Sequence, residues 1–523
     1  MFAFLKIKST VAIWKRKLDG KQLGSVRFAS GRPRVRIPPS PQNSLEKSFI
    51  RKLSETAAAN QQAGLGTIET IEFTKNRYYY NILPKRKIFK YIVLYNTYMD
   101  SALVKDYLLE WLGKTLEEGV ERDLVVSNIS SRATVIVGPR RAGKTYFLYQ
   151  IAQKNKREDV LYLNFEDTRL RNLRFTEIRE IIRLFIELTG KKPRTLLLDE
   201  IQNMDKWEIA ARELLDLKAH TIFITGSSSK MLSREIATQL RGRALIYLML
   251  PFSFSEYLKA KKVSGSVEIT RDSAAKIRNS LKEYLEWGGF PEAVIENKNR
   301  ELILKEYYDL ILFKDIIERN SMKNISLARF LLEQMLQNFS KEISVNSIMK
   351  KAEGISLSKD TTYEYVDKTQ DSVAIFFLNR LSAKARTRES WPKKVYACDT
   401  GLTKAVKFSS DIGKLMENCV FLELMRQTNK MPFLRLFYWK DSSQLEIDFV
   451  LKESDRIKTL IQVTRAVSLE EIDKREINAL LSGAEVLNCK KLIIITWDYK
   501  DIIKLDKKSI ECIPLWEWLL TKN

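Results

Sequence analysis

Apolar residues along the middle of the chain form short runs that are separated by segments with helical spacing. The strand-like runs, rich in β-branched and aliphatic residues, are residues 133–137, 159–167, 194–200 and 220–229. Between them, residues 176–190 and 207–217 have the apolar spacing of amphipathic helices. Strands that alternate with helices predict a parallel sheet covered by helices on both faces. We therefore expect an α/β fold with its ligand crevice at the carboxyl ends of the strands.

The pattern changes beyond residue 296. Residues 326–372 have the spacing of three short helices, and strand-like runs follow at residues 373–382 and 393–401. Three helices and a two-stranded wing predict a winged helix, whose basic loop at residues 383–394 would lie along phosphates. Its third helix would present five side chains to a DNA groove, namely Lys359, Thr361, Thr362, Tyr363 and Lys368. A packing or protein-contact module is the alternative.

The loop after the first central strand has a phosphate-binding pattern. Its sequence, GPRRAGKT, fits G-x-x-x-x-G-K-[ST], in which the glycines allow a tight turn that points backbone N–H groups at an anion. The following helix adds the positive end of its dipole. The residues expected to contact the nucleotide are Gly138, Pro139, Arg140, Arg141, Ala142, Gly143, Lys144 and Thr145. Lys144 would reach the β and γ phosphates, and the Thr145 hydroxyl would bind Mg²⁺.

Polar residues also end the later strands of the predicted sheet. We expect Asp199 to enter the Mg²⁺ shell, directly or through water, and Glu200 to polarise the attacking water as the catalytic base. Thr225, Ser227 and Ser228 follow the next strand and are candidates to contact the γ-phosphate or the water. A helix-capping role is the alternative for Ser228.

Three arginines, Arg234, Arg241 and Arg243, precede a further apolar strand. One of them could neutralise charge in the transition state, in cis or from a neighbouring subunit of a homo-oligomer. Arg243 is the first choice for this catalytic role, because the short LRGR loop would hold it rigidly.

Net charge changes the picture mainly at the start of the chain. The formal charge is +24, and residues 1–98 hold 19 Lys and Arg against 5 Asp and Glu. One back-translation of residues 34–41 contains GGTTCGAATCC, which resembles the T arm of a transfer RNA gene. Either the reading frame was extended upstream and translation begins near Met99, or residues 1–98 form a disordered basic arm that binds nucleic acid.

Four cysteines without metal-ligand spacing favour a reduced cytoplasmic protein. No uncharged apolar run approaches about 18 residues, so no membrane span is expected.

Six motifs along the chain together resemble the prokaryotic, largely archaeal P-loop ATPases of the AAA superfamily. They are GPRRAGKT, YLNFED, LLLDEIQNMDKWE, ITGSSSKMLS, LRGRALIYLMLPFSFSEYL and YLEWGGFPEAV. The resemblance covers roughly residues 100–520 and implies ATP binding and hydrolysis, with Asp199 for Mg²⁺ and Glu200 as the base. Members typically carry a winged helix and a C-terminal domain similar to restriction endonucleases.

The last part of the chain resembles the restriction-endonuclease fold in its order of elements. A helix with Glu417 precedes a strand expected at residues 437–452, which carries Asp448, and another strand follows. Active versions need an acid on the first strand and an acid-x-lysine on the second to bind Mg²⁺ and activate water. Gln462 and Thr464 occupy the second pair of positions, so we expect DNA binding or assembly rather than DNA cleavage.

Four segments are therefore expected: a basic leader (1–98), an AAA-type P-loop ATPase domain (99–295), a helical and winged-helix domain (296–400) and an inactive nuclease-like domain (401–523). The expected function is a Mg²⁺-dependent ATPase that couples its nucleotide state to the binding of DNA or a protein partner. The alternatives are an ATP-controlled switch with little turnover and an ATP-gated nuclease. Glu200 favours hydrolysis over the switch, whereas Gln462 and Thr464 disfavour the nuclease.

Overall fold

The computed structural model describes residues 99–170, 173–227, 238–263, 271–351, 358–382, 392–406, 411–505 and 508–521, together with the backbone of five upstream strands. The chain divides into two compact units, Met1–Asp100 and Ser101–Asn523. In the first unit β1 (Gly24–Val26) pairs with β2 (Val35–Ile37), and β3 (Thr67–Thr74), β4 (Arg77–Leu83) and β5 (Phe89–Leu94) form an antiparallel sheet. Both hypotheses for residues 1–98 stay predictions.

The second unit begins with α1 (Ser101–Gly113) and a five-stranded parallel sheet. The strands are β6 (Ala133–Val137), β7 (Val160–Asn164), β8 (Thr195–Asp199), β9 (Thr221–Gly226) and β10 (Ala244–Leu248), in the spatial order β10-β6-β9-β8-β7. Helices α2 (Lys144–Gln153), α3 (Ile178–Thr189) and α4 (Trp207–Asp216) connect them. Every residue of β6 and β8 is buried, as expected for strands that are covered on both faces. The α/β prediction is confirmed for this part of the chain.

A helical segment follows the parallel sheet. It contains α5 (Phe254–Ala260), α6 (Arg271–Trp287), α7 (Pro291–Ile295) and α8 (Arg300–Leu310), and α8 continues as a π-helix (Ile311–Glu318). Helices α9 (Ile325–Gln337), α10 (Val345–Lys351) and α11 (Lys359–Gln370) then accompany an antiparallel sheet of β11 (Lys341–Ile343), β12 (Ile375–Leu378) and β13 (Lys393–Ala397), with β13 in the middle. The three helices and two of these strands were predicted from the sequence, and β11 was not.

The C-terminal part is a mixed six-stranded sheet with three helices. The strands are β14 (Leu434–Lys440), β15 (Glu446–Glu453), β16 (Arg456–Val463), β17 (Leu492–Thr496), β18 (Asp501–Leu505) and β19 (Lys508–Pro514), and the helices are α12 (Ile412–Lys430), α13 (Lys474–Val486) and α14 (Leu515–Leu520). The single strand expected at residues 437–452 is wrong. The chain turns between β14 and β15, where Gln444 has a φ of 62°, and the two strands pair antiparallel.

Direct contacts join these parts of the second unit. Tyr396 of β13 stacks on Phe421 of α12 with ring centroids 4.1 Å apart. Asn429, near the end of α12, exchanges two hydrogen bonds with the backbone of Leu248 on the edge strand β10, both at 2.8 Å. The C-terminal part is thereby attached to the strand whose continuation supports the phosphate loop.

Short 3₁₀ segments lie at Arg157–Asp159, Phe175–Glu177, Ile201–Asn203, Asn297–Asn299 and Gly401–Ala405. Within the described part of the chain, none of the helices has the length and apolar character needed to cross a membrane.

Candidate functional site

The predicted phosphate loop joins β6 to α2 at the carboxyl edge of the parallel sheet. Two positions in this loop require glycine. A Cβ added to Gly138 would lie 1.9 Å from the carbonyl oxygen of Met249, and Gly143 has a φ of 95°. Any larger residue would therefore clash at the first position and be strained at the second.

Arg122 supports the loop from behind and was not expected from the sequence. Its guanidinium donates hydrogen bonds to the carbonyl oxygens of Ala142 and Leu250, both at 2.6 Å, and to Oε1 of Glu256 at 2.9 Å. The side chains of Arg122 and Glu256 are both buried. Residues 114–132 contain neither helix nor strand, so no periodic pattern marks Arg122 in the sequence.

Lys144 begins α2 and its side chain is buried. The ammonium Nζ donates to the carbonyl oxygens of Gly138 and Pro139, both at 3.0 Å, and lies 3.4 Å from Oε1 of Glu200. Two of these partners are neutral. Phosphate oxygens can replace them, because hydrogen bonds between charged groups are about twice as strong as neutral ones.

Asp199 ends β8 and accepts hydrogen bonds from three hydroxyl groups. Thr145 Oγ1 donates to Oδ2 at 2.8 Å, Tyr162 donates to the same oxygen at 2.9 Å, and the Thr225 hydroxyl donates to Oδ1. Burial and the neighbouring Glu200 raise the pKa of Asp199 above its ordinary value, while the three hydroxyls lower it. Thr145 of the phosphate loop and the end of β8 therefore meet at the carboxylate of Asp199.

The pair formed by Thr145 and Asp199 fits Mg²⁺. A hydroxyl and a carboxylate are hard oxygen ligands, and Mg²⁺ in phosphate sites typically takes one or two such groups and completes its shell with water and phosphate oxygens. In the described part of the chain, no group of three or more His, Cys, Asp or Glu side chains forms a metal site by itself. The donor set thus suits a metal that arrives with a nucleotide.

Glu200 follows in a left-handed conformation with a φ of 49°, which is uncommon for a residue other than glycine. Its N–H donates to Thr225 Oγ1 at 3.0 Å, and its carboxylate accepts a hydrogen bond from Gln202. Burial alone would raise the pKa of Glu200, but the positive charge of Lys144 and the bond from Gln202 bring it below the ordinary value. The ionised carboxylate is ready to accept a hydrogen bond from water.

Arg319 lies at the carboxyl end of β9 together with Ser227. Its guanidinium donates to the carbonyl oxygen of Ser227 at 2.9 Å and to the hydroxyl at 2.8 Å. The sequence did not indicate Arg319, because it follows Ser227 by 92 positions in a separate helical segment. Ser228 and Arg234, the other candidates near this strand, lie outside the described residues.

The two arginines inside the phosphate loop have partners on the helical segment. Arg140 Nε donates to Asp315 Oδ1 at 2.9 Å, and its Nη1 donates to Glu166 at 2.8 Å. Arg141 lies 3.6 Å from a carboxylate oxygen of Glu292. Both side chains therefore point away from the loop's own backbone and towards neighbouring elements.

Arg243 does not lie at this chain's phosphate loop. Strand β10 runs parallel to β6, and the carbonyl oxygen of Arg243 accepts from the N–H of Ala133 where β6 begins. The loop follows the other end of β6, roughly 17 Å away at about 3.3 Å per residue. The guanidinium instead forms a 2.6 Å ion pair with Asp216. This register corrects the prediction that Arg243 acts at the phosphate loop of its own chain. A role for Arg243 at the site of a neighbouring subunit stays a prediction.

Helix α11 also departs from its predicted use. Thr362 is fully buried and its hydroxyl donates to the carbonyl oxygen of Ser358 at 2.9 Å, so it cannot contact DNA. Lys368 is paired with Glu364 at 2.5 Å. Lys359 is exposed and Tyr363 is half-buried, but acidic residues of α11 share the same surface. The basic loop at residues 383–391 lies outside the described residues.

A second buried lysine lies where β13 meets the C-terminal sheet. The Nζ atom of Lys394 is 3.0 Å from Glu417, 2.7 Å from Glu446 and 2.8 Å from Asp448. We call these four residues the Lys394 cluster. Burial by itself lowers the pKa of Lys394, but the carboxylates raise it well above the ordinary value. A fully charged ammonium group therefore occupies the centre of the cluster.

Gln462 and Thr464 lie beside this cluster on and just after β16. The Gln462 side-chain oxygen accepts from the N–H of Asp448 at 3.4 Å. A cavity of about 740 Å³ opens nearby, lined in part by Lys282, Thr464 and Trp497. No residue of the phosphate loop lines it, so this cavity is separate from the site built by Lys144 and Asp199.

Comparison with known protein families identifies three regions. Residues 130–258 match an AAA domain, and residues 278–412 and 412–518 match two domains of unknown function, DUF8612 and DUF4143. The uncharacterized protein MJ1544 of Methanocaldococcus jannaschii is 38% identical over 413 residues, which cover 77% of this chain and 91% of that protein. An uncharacterized protein of Haemophilus influenzae is 29% identical over 399 residues, which cover 74% of this chain and 94% of that protein.

Solved structures show only a weak similarity. Cdc6p from Pyrobaculum aerophilum has a TM-score of 0.19 and 12% identity, with 53% of this chain and 86% of that chain covered. AMPPCP-bound DnaA from Aquifex aeolicus has a TM-score of 0.20 and 13% identity, with 51% of this chain and 86% of that chain covered. With scores this low, neither structure bears on the function of this chain.

Proposed function

The chain belongs to the same family as MJ1544 of Methanocaldococcus jannaschii, and from its AAA domain at residues 130–258 we propose that it is a Mg²⁺-dependent ATPase. One observation carries the proposal. The Thr145 hydroxyl and the Asp199 carboxylate lie 2.8 Å apart, and Lys144 and Glu200 share the same buried pocket. This is the set of groups that phosphoryl transfer to water requires.

Each residue of the pocket has a proposed role in hydrolysis. Backbone N–H groups of the loop from Gly138 to Thr145 surround the β and γ phosphates, and Lys144 exchanges its carbonyl partners for phosphate oxygens. Thr145 and Asp199 would hold Mg²⁺, which would neutralise charge on the phosphates. Glu200 orients the attacking water and accepts its proton. Its ionised state and its position beside Lys144 support this assignment.

The region around α9, α10, α11 and the three-stranded sheet is proposed to be a winged helix. The order of helix, strand, two helices and two further strands supports this assignment. The exposed surface of α11 combines Lys359 with Asp360, Glu364 and Asp367, so it is not strongly basic. We propose that the module contacts a partner, either DNA or a protein, and the mixed charge of α11 favours a protein over insertion into a DNA groove.

The C-terminal part is proposed to be nuclease-like but unable to cleave DNA. The restriction-endonuclease resemblance implies a Mg²⁺ site at Asp448, and the residues present do not fit one. The ammonium group of Lys394 already contacts the carboxylates of Glu417, Glu446 and Asp448. A metal 2.0–2.1 Å from the same oxygens would have to occupy the space of that ammonium group. An assembly or binding role is therefore proposed for this part.

We also propose a domain division, a location and an assembly state. The functional segments are residues 99–295, 296–400 and 401–523, the protein acts in the cytoplasm, and it assembles as a homo-oligomer if Arg243 acts on a neighbouring subunit. The described part of the chain contains no helix suited to cross a membrane, and this observation alone does not locate the protein.

Steady-state hydrolysis of ATP by the wild type and the Glu200→Gln variant tests the proposal. We expect the variant to keep ATP binding and to lose turnover by a factor of about 10²–10⁴. Glu187→Gln is the matched control, because Glu187 is an exposed residue of α3. A wild type that binds ATP without measurable turnover would establish the switch alternative instead.

The same assay separates the two kinds of partner. Turnover is measured with and without duplex DNA, at two salt concentrations and also for a chain that begins at Met99, because the basic leader could bind DNA without specificity. A DNA-dependent change in turnover that persists without the leader supports DNA as the partner. If DNA leaves turnover unchanged, DNA is not the partner, and a protein remains the proposed partner.

A further inference from the structure

A buried carboxylate links the phosphate loop to the helical segment that follows the AAA domain. Asp315 belongs to the π-helix Ile311–Glu318 and is 0% exposed. Its Oδ1 accepts from Arg140 at 2.9 Å and from Arg319 at 2.6 Å. Among the described residues its Oδ2 has no hydrogen-bond partner, although it is buried. We call Arg140, Asp315 and Arg319 the Asp315 clasp.

The two arginines of the clasp approach the candidate phosphate site from different strands. Arg140 lies inside the phosphate loop after β6, and Arg319 holds Ser227 at the end of β9. Strand β9 lies between β6 and β8, the strand that ends in Asp199. Through Asp315, the two arginines therefore connect the loop after β6 with the end of β9, both at the carboxyl edge of the sheet where a nucleotide phosphate is proposed to bind.

We propose that Asp315 competes with the terminal phosphate of ATP for Arg140 and Arg319, and that ATP but not ADP draws the two arginines away from it. This inference rests on the proposed function. A phosphate oxygen competes with a carboxylate for guanidinium groups because both accept paired, charge-assisted hydrogen bonds. Asp315 cannot remain buried without its arginines, since an unpaired buried charge is strongly unfavourable. When the arginines leave, the carboxylate must either take up a proton or move out of its buried position, and we expect the π-helix to shift.

The location of Asp315 makes such a shift available. A π-helix is a rare and less regular hydrogen-bonding register, and it is frequently found at functional sites. The segment is followed after six residues by α9. The N–H of Asn324, the residue before α9, donates to the hydroxyl oxygen of Tyr365 on α11 at 3.1 Å. A shift of the π-helix would thus reach the proposed winged-helix module.

The test compares nucleotide affinity in the full-length wild type and the Asp315→Asn variant. Isothermal titration uses ADP and a non-hydrolysable ATP analogue, each with Mg²⁺. Because the analogue must break the clasp and ADP need not, we expect Asp315→Asn to tighten analogue binding by about fivefold or more and to leave ADP binding within about twofold. Glu318→Gln is the matched control, because Glu318 is an exposed residue of the same π-helix that pairs with Lys314.

Hydrogen exchange of the 305–320 backbone supplies a second readout. In the wild type we expect the analogue, but not ADP, to change exchange in this segment, and Arg140→Gln, which keeps the pair of Asp315 and Arg319, should reduce that change. Arg140→Gln also keeps the test valid if Asp315→Asn does not fold.

Three results would overturn the inference: equal responses to ADP and the analogue in the wild type, unchanged or weaker analogue binding by Asp315→Asn, or an undiminished exchange response in Arg140→Gln. A wild type that binds neither nucleotide would instead refute the proposed ATPase itself, and calorimetry distinguishes the two failures.

Discussion

Lys144 and Lys394 are both buried lysines whose ammonium groups face carboxylates, yet their partners differ. Lys144 donates to two backbone carbonyl oxygens and lies 3.4 Å from one carboxylate. Lys394 lies within 3.0 Å of three carboxylates. A lysine held mainly by neutral acceptors gains when phosphate arrives, whereas a lysine surrounded by carboxylates has nothing to gain from another anion.

The same contrast applies to metals. Asp199 accepts hydrogen bonds from hydroxyl groups, and the Thr145 hydroxyl can turn its oxygen towards Mg²⁺ instead. Asp448 already has a charged partner in Lys394 and accepts the N–H of Val463 at 3.0 Å. Asp199 can therefore exchange a hydroxyl partner for Mg²⁺, whereas Asp448 keeps the ammonium group of Lys394 as its cationic partner.

The largest effect on stability is expected when the ammonium group of Lys394 is removed. Lys394→Met removes the ammonium group shared by Glu417, Glu446 and Asp448, and only Glu446 keeps another positive partner, Lys440. Breaking a buried ion pair from one side costs about 3–5 kcal/mol. We expect the free energy of unfolding to fall by this amount in urea titrations. The matched control is Lys458→Met, which breaks an exposed pair with Glu453 and should cost about 1 kcal/mol or less.

The same urea titrations can contradict the contrast between the regions around Lys144 and Lys394. If Lys394→Met unfolds at the same urea concentration as Lys458→Met, then Lys394 does not hold the cluster together. A variant that combines Lys394→Met with Asp448→Asn should recover part of the lost stability, because it removes one of the uncompensated charges.

The pattern of apolar residues and the phosphate-loop motif were enough to predict the parallel sheet and to place Lys144, Thr145, Asp199 and Glu200 at one edge. These features are local, because the motif specifies its own turn and the acid pair directly ends a strand. The position of Arg243 was also within reach, since a residue that precedes a parallel strand lies opposite the carboxyl edge.

Other features depend on contacts between distant segments. No motif indicates a role for Arg122, Arg319 or Lys394, and each becomes recognisable only when another part of the chain packs against it. The missed turn between β14 and β15 is different, because the DSSQ stretch has the composition of a turn but the apolar residues on both sides obscured it.

A smaller effect is expected from the carboxyl group of Glu476, close to the Lys394 cluster. Burial and the charge of Asp448 raise the pKa of Glu476 to about 7, while the Thr464 hydroxyl lowers it. A carboxyl group with a raised pKa in the folded state stabilises the protein below its unfolded pKa and loses that contribution as pH rises through the folded pKa. The free energy of unfolding should therefore fall by about 2–3 kcal/mol between about pH 5 and pH 8 from this group.

Urea titrations across this pH range check the sign. Glu476→Gln should flatten part of the decrease, and Glu485→Gln, an exposed change on the same helix, should leave it unchanged. Glu417, whose pKa burial raises to about 7, contributes in the same direction, so the profile will not become completely flat. A wild type that becomes more stable from pH 5 to pH 8 would contradict this account of the cluster.

The smallest effect is expected at Arg243. Because its guanidinium pairs with Asp216 at the opposite edge of the sheet, Arg243→Ala should leave ATP affinity within about twofold of the wild type. If Arg243 acts on a neighbouring subunit, turnover of the variant will be low at every protein concentration, while that of the wild type rises as subunits associate. Reduced ATP affinity in dilute Arg243→Ala would contradict the placement of this residue away from its own phosphate loop.

The contrast between the two lysines depends above all on the claim that Lys144 holds a nucleotide. Calorimetric titration of ATP and Mg²⁺ into the full-length wild type and Lys144→Ala tests it most directly, with Lys154→Ala at the exposed end of the same helix as control. We predict saturable binding by the wild type and by the control, and affinity weaker by roughly a hundredfold in Lys144→Ala, as expected when a charged partner of a buried contact is removed. Equal affinity in the wild type and Lys144→Ala, or no binding by the wild type, would contradict the account.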